Sequence, residues 1–109
     1  MKETDIQSQI IDYLQILEHQ GKLFFQRTNN IPVSQIRNGK RVFRSMPKGA
    51  KKGFPDIVVL KGGVLIALEV KSATGRQSKD QKEMEKLVVS SGGKYFIVRS
   101  LSEVVELMK

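Results

Sequence analysis

Apolar residues near the start of the chain recur at the spacing of an α-helix. They are three or four positions apart and form one stripe: Ile6, Ile10, Tyr13, Leu14 and Leu17. This period predicts an amphipathic helix with one buried face. The segment Thr4-Asp5-Ile6-Gln7 has the pattern of a capping box, which predicts Thr4 as the N-cap. Gly21 is expected to end the helix.

Two further helices are predicted in the second half of the chain. Ser78-Lys79-Asp80-Gln81 has the pattern of a second capping box. The apolar positions after it share one helical face: Met84, Leu87 and Val88. Gly92-Gly93 is expected to end this helix. A short last helix is predicted after Ser100, with four apolar residues: Val104, Val105, Leu107 and Met108.

Runs of apolar, β-branched and aromatic residues predict four strands, over residues 22–27, 56–60, 64–70 and 94–99. The Gly62-Gly63 turn makes the second and third strands antiparallel, whereas the helix after the third strand makes the third and fourth parallel. Asn38-Gly39, within residues 36–42, predicts an additional basic β-hairpin. The predicted fold is therefore α/β, a mixed central sheet flanked by helices, in a single domain over residues 1–109.

The charge of the chain is strongly positive and unevenly distributed. Nineteen Lys and Arg against eleven Asp and Glu give a net charge of +8, and no acid occurs between Glu18 and Asp56. This balance favours a polyanionic partner, of which nucleic acid is the commonest. The candidate DNA-binding residues lie in the second half of this acid-free tract: Arg37, Lys40, Arg41, Arg44, Lys48, Lys51 and Lys52. The alternative is a solvated surface that promotes solubility.

Residue usage excludes several kinds of site. The chain has no cysteine and one histidine, His19, so thiol chemistry, thiolate zinc sites and His-based triads are not expected. The sequence contains no apolar run of the length that a membrane span needs. We therefore expect a soluble intracellular domain.

Candidate chemistry lies at the open end of the predicted hairpin around Gly62-Gly63. Asp56 begins one strand, and Glu69 and Lys71 end the next, so the three are expected to meet. Carboxylate oxygens suit Mg²⁺ or Mn²⁺, and an ammonium beside them can orient water or stabilise charge on phosphorus. The alternative is a surface salt bridge, which the combination of all three residues disfavours.

These residues resemble a known nuclease motif. Pro55-Asp56 followed by Glu69-Val70-Lys71 resembles the motif of the PD-(D/E)XK nuclease superfamily, and the chain is similar nearly end to end to its VRR-NUC family in the stand-alone, virus-type form. The similarity includes Lys52–Asp56, the Ser78-x-x-Gln81 helix start and Gly92-Gly93-x-Tyr95. It implies a restriction-endonuclease-like αβββαβ core with an inserted hairpin and a C-terminal helix. It also implies a place in the cytoplasm of a bacterial or phage-infected cell.

The resemblance implies roles for further residues. Glu3 would join Asp56 and Glu69 as a metal ligand, although an acid in a first helical turn is also explained by the helix dipole. Gln81 would lie near the catalytic Lys71 or the scissile phosphate, although its capping box explains it as well. The Val70 carbonyl would be a further metal ligand.

These observations predict a metal-dependent DNA endonuclease that selects DNA by structure. The resemblance favours four-way junctions as the substrate, with flaps and plain duplexes as the alternatives. A homodimer is expected, since two symmetric nicks need two sites. The last helix and the exposed part of residues 28–47 are candidate interfaces, with completion of the chain's own core as the alternative role of the last helix. The alternatives are a nucleic-acid-binding module without catalysis and, more remotely, a scaffold protein.

Overall fold

The computed structural model describes residues 1–28 and 48–109 in full and, between them, the backbone of residues 34–37 and 40–43. Three helices and six strands lie in these ranges. In chain order they are α1 (Glu3–His19), β1 (Phe24–Arg27), β2 (Ser34–Arg37), β3 (Lys40–Phe43), β4 (Ile57–Lys61), β5 (Val64–Val70), α2 (Lys79–Ser90), β6 (Lys94–Val98) and α3 (Leu101–Leu107). The predicted order of elements is confirmed.

Four of the strands form one mixed sheet in the order β1-β4-β5-β6. Strand β4 pairs antiparallel with both β1 and β5, and β5 pairs parallel with β6. The turn between β4 and β5 uses Gly62 and Gly63, whose φ angles of 58° and 79° suit glycine. The predicted mixed α/β fold is therefore confirmed, with β5 at an interior position of the sheet.

Strands β2 and β3 form a separate antiparallel pair. Arg37 pairs with Lys40 in this ladder, which is the register expected for a two-residue hairpin turn. The predicted basic hairpin is therefore present in the backbone. Its turn residues, Asn38 and Gly39, lie outside the described residues.

The larger core lies between the sheet and helices α1 and α3. Alternate residues of β5 point into it because side chains alternate along a strand. Its most deeply buried members are Ile6, Ile10, Leu14, Ile57, Val59, Leu68, Val70, Val98 and Val104. This core joins the first and last helices of the chain to the same face of the sheet.

A smaller core lies on the opposite face, under α2. It contains Ala67, Met84 and Tyr95, with Phe54 and Val88 packed against them. Glu69 points to this side of β5 and is the one buried charged residue in the described part of the chain, with 2% of its surface exposed. The face that α2 covers therefore combines a few apolar residues with an acid.

One expectation about the helices requires correction. Helix α1 begins at Glu3 with Lys2 as N-cap and without a side-chain cap, so the predicted N-cap at Thr4 is wrong. Val104 and Met108 of the last helix are buried in the chain's own core, which favours, for these two residues, the expected alternative over an interface. In the described part of the chain, every helix is too short or too polar to cross a bilayer.

Candidate active site

The segment that leads into β4 is fixed from two sides. The Thr28 amide donates to the Asp56 carbonyl at 2.8 Å, and the Thr28 hydroxyl donates to the Pro55 carbonyl. Gly53 has φ +70°, and a methyl group there would come within 2.5 Å of the Asp80 carbonyl carbon. Residues before β4 are thus held between the end of β1 and the first turn of α2, which fixes the position of Asp56.

The hairpin register brings Asp56 to the end of β5. Ile57 pairs with Leu68, so Asp56 lies one position beyond the paired residues and close to Glu69. Asp56 Oδ2 accepts a hydrogen bond from the Val70 amide at 2.8 Å. The Asp56 and Glu69 carboxyl groups lie close enough for each to affect the pKa of the other. The predicted neighbourhood of the two acids is therefore present.

Lys71 lies immediately beyond β5, on the same side as Glu69. Its amide donates to the Val98 carbonyl at 3.0 Å and so extends the parallel pairing with β6. Its Nζ is 3.8 Å from Glu69 Oε1, and its side chain is 13% exposed. The ammonium is thus held beside the two carboxylates at the edge of the site.

Both oxygens of Glu69 accept hydrogen bonds from neighbouring elements. Gln81 Nε2 donates to Oε1 at 2.7 Å, and the Tyr95 hydroxyl donates to Oε2 at 3.2 Å. Gln81 also forms the predicted capping box with Ser78 at the start of α2. Gln81 therefore caps α2 and also binds the Glu69 oxygen that is nearest Lys71, and its role in catalysis stays a prediction.

Burial and mutual repulsion disfavour two negative charges in this cluster. Burial, followed by the charge of Asp56, raises the pKa of Glu69 to about 7. Burial also raises the pKa of Asp56 against the opposing effects of the Val70 amide and Lys71. Burial and then the Glu69 charge raise the pKa of the Tyr95 hydroxyl. Among the described residues, Lys71 is the positive charge that lowers the pKa of both acids.

Glu3, in the first turn of α1, reaches the loop that follows β5. Its Oε1 accepts a hydrogen bond from the Ser72 amide at 3.4 Å, and its charge contributes to the raised pKa of Asp56. The guanidinium of Arg99 donates to the carbonyls of Ser72 and Gly75 and so holds this loop. Glu3 thus lies at the border of the site, and its role as a ligand stays a prediction.

The donor set fits a hard divalent ion. Among the described residues, no group of three His, Asp or Glu side chains is arranged to enclose a metal. Asp56 and Glu69 nevertheless form an adjacent pair of oxygen donors with excess negative charge. Mg²⁺ is typically bound through one or two carboxylates while it keeps several waters and contacts substrate phosphates. A buried carboxylate, Glu69, beside a half-buried one, Asp56, provides the two ligands that this mode needs.

The residues predicted to bind DNA divide into two groups. Lys48, Lys51 and Lys52 are exposed and lie before β4, close to the start of the candidate site in sequence. The side chains of Arg37, Lys40 and Arg41, and the whole of Arg44, lie outside the described residues. The role of both groups stays a prediction.

Sequence reasoning assigned no role to Tyr95, although it contacts Glu69. Alternation along residues 94–98 indicates that Tyr95 and Ile97 share a face. The missing information was the parallel register, in which Tyr95 pairs with Ala67 and Ile97 with Glu69. The parallel register depends on the crossover through α2, which residue spacing does not fix.

The fold is similar to that of a solved structure. A solved structure described as a VRR_NUC domain matches it with a TM-score of 0.67 and 19% sequence identity, covering 99% of this chain and 95% of the other. An identity this low establishes the fold alone. The expected VRR-NUC fold is therefore confirmed.

Comparison of the sequence with models of protein families identifies the family of this chain. The family model described as archaeal Holliday junction resolvase (Hjc) matches residues 33–107, which include Asp56, Glu69 and Lys71. The chain belongs to this family.

A curated relative has the same family name. The chain is 35% identical over 85 residues to the crossover junction endodeoxyribonuclease Hjc of Sulfurisphaera tokodaii. That alignment covers 71% of this chain and 59% of the relative, so the chain matches less than two thirds of the relative's length.

Proposed function

We propose that this chain is an endonuclease that hydrolyses DNA phosphodiester bonds, selects four-way junctions and requires Mg²⁺ or Mn²⁺. The observation that carries the proposal is the meeting of Asp56, Glu69 and Lys71 at one end of β5. Membership of the Hjc family and the name of the curated relative support both the activity and the substrate. In this proposal residues 1–109 act as one nuclease domain.

Asp56 and Glu69 would hold the divalent ion, with the Val70 carbonyl and Glu3 as further ligands. When bound, such an ion polarises a phosphate oxygen and lowers the pKa of water. The Val70 amide fixes Asp56, and Gln81 fixes Glu69, so both carboxylates are oriented before DNA binds. This prior orientation avoids a reorganisation cost during the reaction.

Lys71 would act on the phosphate or on the attacking water. Its Nζ lies beside Glu69 Oε1, which directs the ammonium to the edge where the two acids meet. There it would donate hydrogen bonds to a non-bridging oxygen and stabilise the charge that develops on phosphorus. It would also orient the water for attack or assist its deprotonation.

DNA affinity would come from the basic tract. Lysines and arginines that contact phosphates provide affinity without sequence readout, which suits selection of DNA by shape. Lys48, Lys51 and Lys52 are exposed on the segment that precedes Asp56, so they would grip the backbone close to the cut. Their contribution would decrease as salt increases.

The proposed assembly is a homodimer. Each chain offers one set of Asp56, Glu69 and Lys71, whereas resolution of a four-way junction requires two symmetric nicks. A two-fold dimer provides both sites in that symmetry. Light scattering should give twice the chain mass of 12.3 kDa. Full junction resolution by a species with the single-chain mass would contradict this part of the proposal.

The central test is a cleavage panel of labelled linear, flapped and four-way DNA with Mg²⁺ or Mn²⁺. The wild-type chain should cut the four-way DNA at two symmetric positions and require the ion. Lys71→Ala should lose this activity and still bind the ion. Lys61→Ala is the matched control, because Lys61 pairs with Val64 beside the hairpin turn, at the far end from the site.

A nucleic-acid-binding module without catalysis is the alternative that this panel tests. It accounts for the basic tract but not for two buried or half-buried acids beside a lysine, since carboxylates repel DNA unless a cation intervenes. Metal-independent binding of all the DNAs without cleavage would favour this alternative. If Lys71→Arg cut at the full rate, proton transfer by Lys71 would be excluded, since a guanidinium does not give up a proton near neutral pH.

A further inference from the structure

Tyr95 connects the smaller core to the candidate site. It lies on β6 opposite Ala67, and its ring is buried against Ala67 and Met84 with 7% of the residue exposed. Its hydroxyl leaves this apolar contact and donates to Glu69 Oε2 at 3.2 Å. Thus one end of the side chain is fixed by packing, and the other end binds a proposed metal ligand.

The hydrogen bonds to Glu69 come from two different elements. Gln81 approaches Oε1 from α2, and its own amide group is held by the capping box with Ser78. Tyr95 approaches Oε2 from β6. Two fixed donors on the two oxygens determine both the rotation and the tilt of the carboxylate plane. If the Tyr95 hydroxyl were removed, Gln81 would still hold Oε1 but the plane could rotate.

We propose that Tyr95 is a positioning residue that presents the Glu69 carboxylate to the divalent ion. This inference rests on the proposed function, in which Glu69 is a metal ligand. Partners that orient a metal ligand typically contribute about 10- to 100-fold to metal affinity or activity. Tyr95 would therefore act on metal binding through Glu69 and would not contact the DNA.

The chain provides a matched pair of variants, because it contains two tyrosines and no tryptophan. Tyr95→Phe keeps the ring and removes the hydroxyl. Tyr13→Phe makes the same change on α1, where Tyr13 packs against the larger core. Mn²⁺ affinity can be measured for both from the electron paramagnetic resonance signal of the free ion. We expect Tyr95→Phe to bind Mn²⁺ about tenfold more weakly or worse, and Tyr13→Phe to bind like wild type.

A second measurement uses the tyrosine as its own reporter. In Tyr13→Phe, all tyrosine fluorescence comes from Tyr95, and a carboxylate that accepts a phenol hydrogen bond quenches this emission. Mg²⁺ bound at Glu69 withdraws electron density from the carboxylate that accepts the Tyr95 hydrogen bond, so adding Mg²⁺ should change the emission. The change should be absent in Tyr13→Phe/Glu69→Ala. This test keeps Tyr95 intact and does not depend on whether Tyr95→Phe folds.

The outcomes separate this inference from the proposed function. Suppose that wild type binds Mn²⁺ and Glu69→Ala does not. If Tyr95→Phe then binds Mn²⁺ within twofold of the wild-type affinity, Tyr95 is a core residue alone and the inference is overturned. If wild type binds no divalent ion, the proposed site and this inference both fail. Weaker Mn²⁺ binding in Tyr95→Phe with unchanged KM for DNA supports the positioning role.

Discussion

The two faces of β5 carry different kinds of side chain, because successive residues of a strand point to opposite sides of the sheet. Ile66, Leu68 and Val70 point toward α1 and α3 and belong to the larger apolar core. Ala67 and Glu69 point toward α2, where the apolar cluster is small and a buried acid has several polar partners. The first face holds the fold together, and the second holds a functional group that is unfavourable to bury.

This difference shows how a chain of 109 residues can accommodate a buried acid. An ionisable group in a protein interior raises the free energy of the folded state unless hydrogen bonds or opposite charges compensate for it. Here the sheet lies between the buried acid, Glu69, and the larger core, so the acid does not disrupt the packing of that core. Substitutions on the two faces should therefore have separable effects, which the following experiments test.

The largest effect is expected at the site itself. Glu69→Ala and Asp56→Ala should each lower the cleavage rate by about a thousand-fold or more, equivalent to about 4 kcal/mol of transition-state stabilisation. DNA binding in metal-free buffer should be retained, because these acids do not grip the phosphates. Cleavage rates and fluorescence anisotropy measure the two properties. Near-normal turnover in either variant would refute the site.

Substitution of Leu68, which neighbours Glu69 but points to the opposite face, should lower stability and leave metal binding intact. Leu68 is fully buried in the larger core, so Leu68→Ala should lower the free energy of unfolding by about 2–5 kcal/mol. The folded fraction should still bind Mn²⁺ at low temperature. Urea unfolding and Mn²⁺ titration test this. A loss of metal affinity without loss of stability would show that the two faces are coupled.

Substitution of Gly53 tests the close contact between this residue and the first turn of α2. Gly53 and Gly21 have nearly the same φ, +70° and +73°, but an added methyl meets the Asp80 and Gln81 backbone at Gly53 and open space at Gly21. Both alanine variants should lose about 1–2 kcal/mol of stability from the left-handed backbone. Gly53→Ala should lose more and also weaken cleavage, since the Gln81–Glu69 contact would shift. Equal effects on thermal unfolding would contradict this packing.

A further effect concerns the pH dependence of stability in the absence of a metal ion. The pKa of Glu69 is raised from 4.5 to about 7 on folding, so the folded protein binds more protons than the unfolded chain between these values. The stability contributed by protonated Glu69 is therefore greatest below about pH 4.5 and is lost as pH rises toward 7. Unfolding midpoints of wild type and Glu69→Gln at several pH values measure the difference. A Glu69→Gln variant with an unchanged pH slope would contradict this assignment.

The parts of the fold that depend on short-range pattern could be predicted from the sequence. The Val64–Val70 strand has the predicted bounds because an apolar run is enclosed by Gly62-Gly63 and Lys71. The tight turn then brings Asp56 beside Glu69, as hairpin geometry requires. The capping box at Ser78 was also predictable, since its two partners are three residues apart.

Two kinds of feature could not be predicted in this way: the choice between neighbouring helix starts, and contacts between residues that are distant in sequence. Helix α1 starts earlier than its Thr4 signal because the Lys2 carbonyl accepts hydrogen bonds from the amides of Asp5 and Ile6. Glu3 then lies in the first turn and reaches Ser72, which is 69 positions away. Arg99 holds the same loop through two carbonyls, and no local pattern indicates that contact.

The hairpin that unites the two acids also limits how relatives can differ in length. An insertion at the Gly62-Gly63 turn leaves the Ile57–Leu68 pairing and the orientation of Glu69 unchanged. A single residue inserted within β5 would instead force a bulge or shift the register by one, which moves Glu69 and Lys71 to the face of Leu68. Length variation between Asp56 and Glu69 during evolution should therefore be concentrated at the turn, and an epitope or fluorescent label is best inserted there.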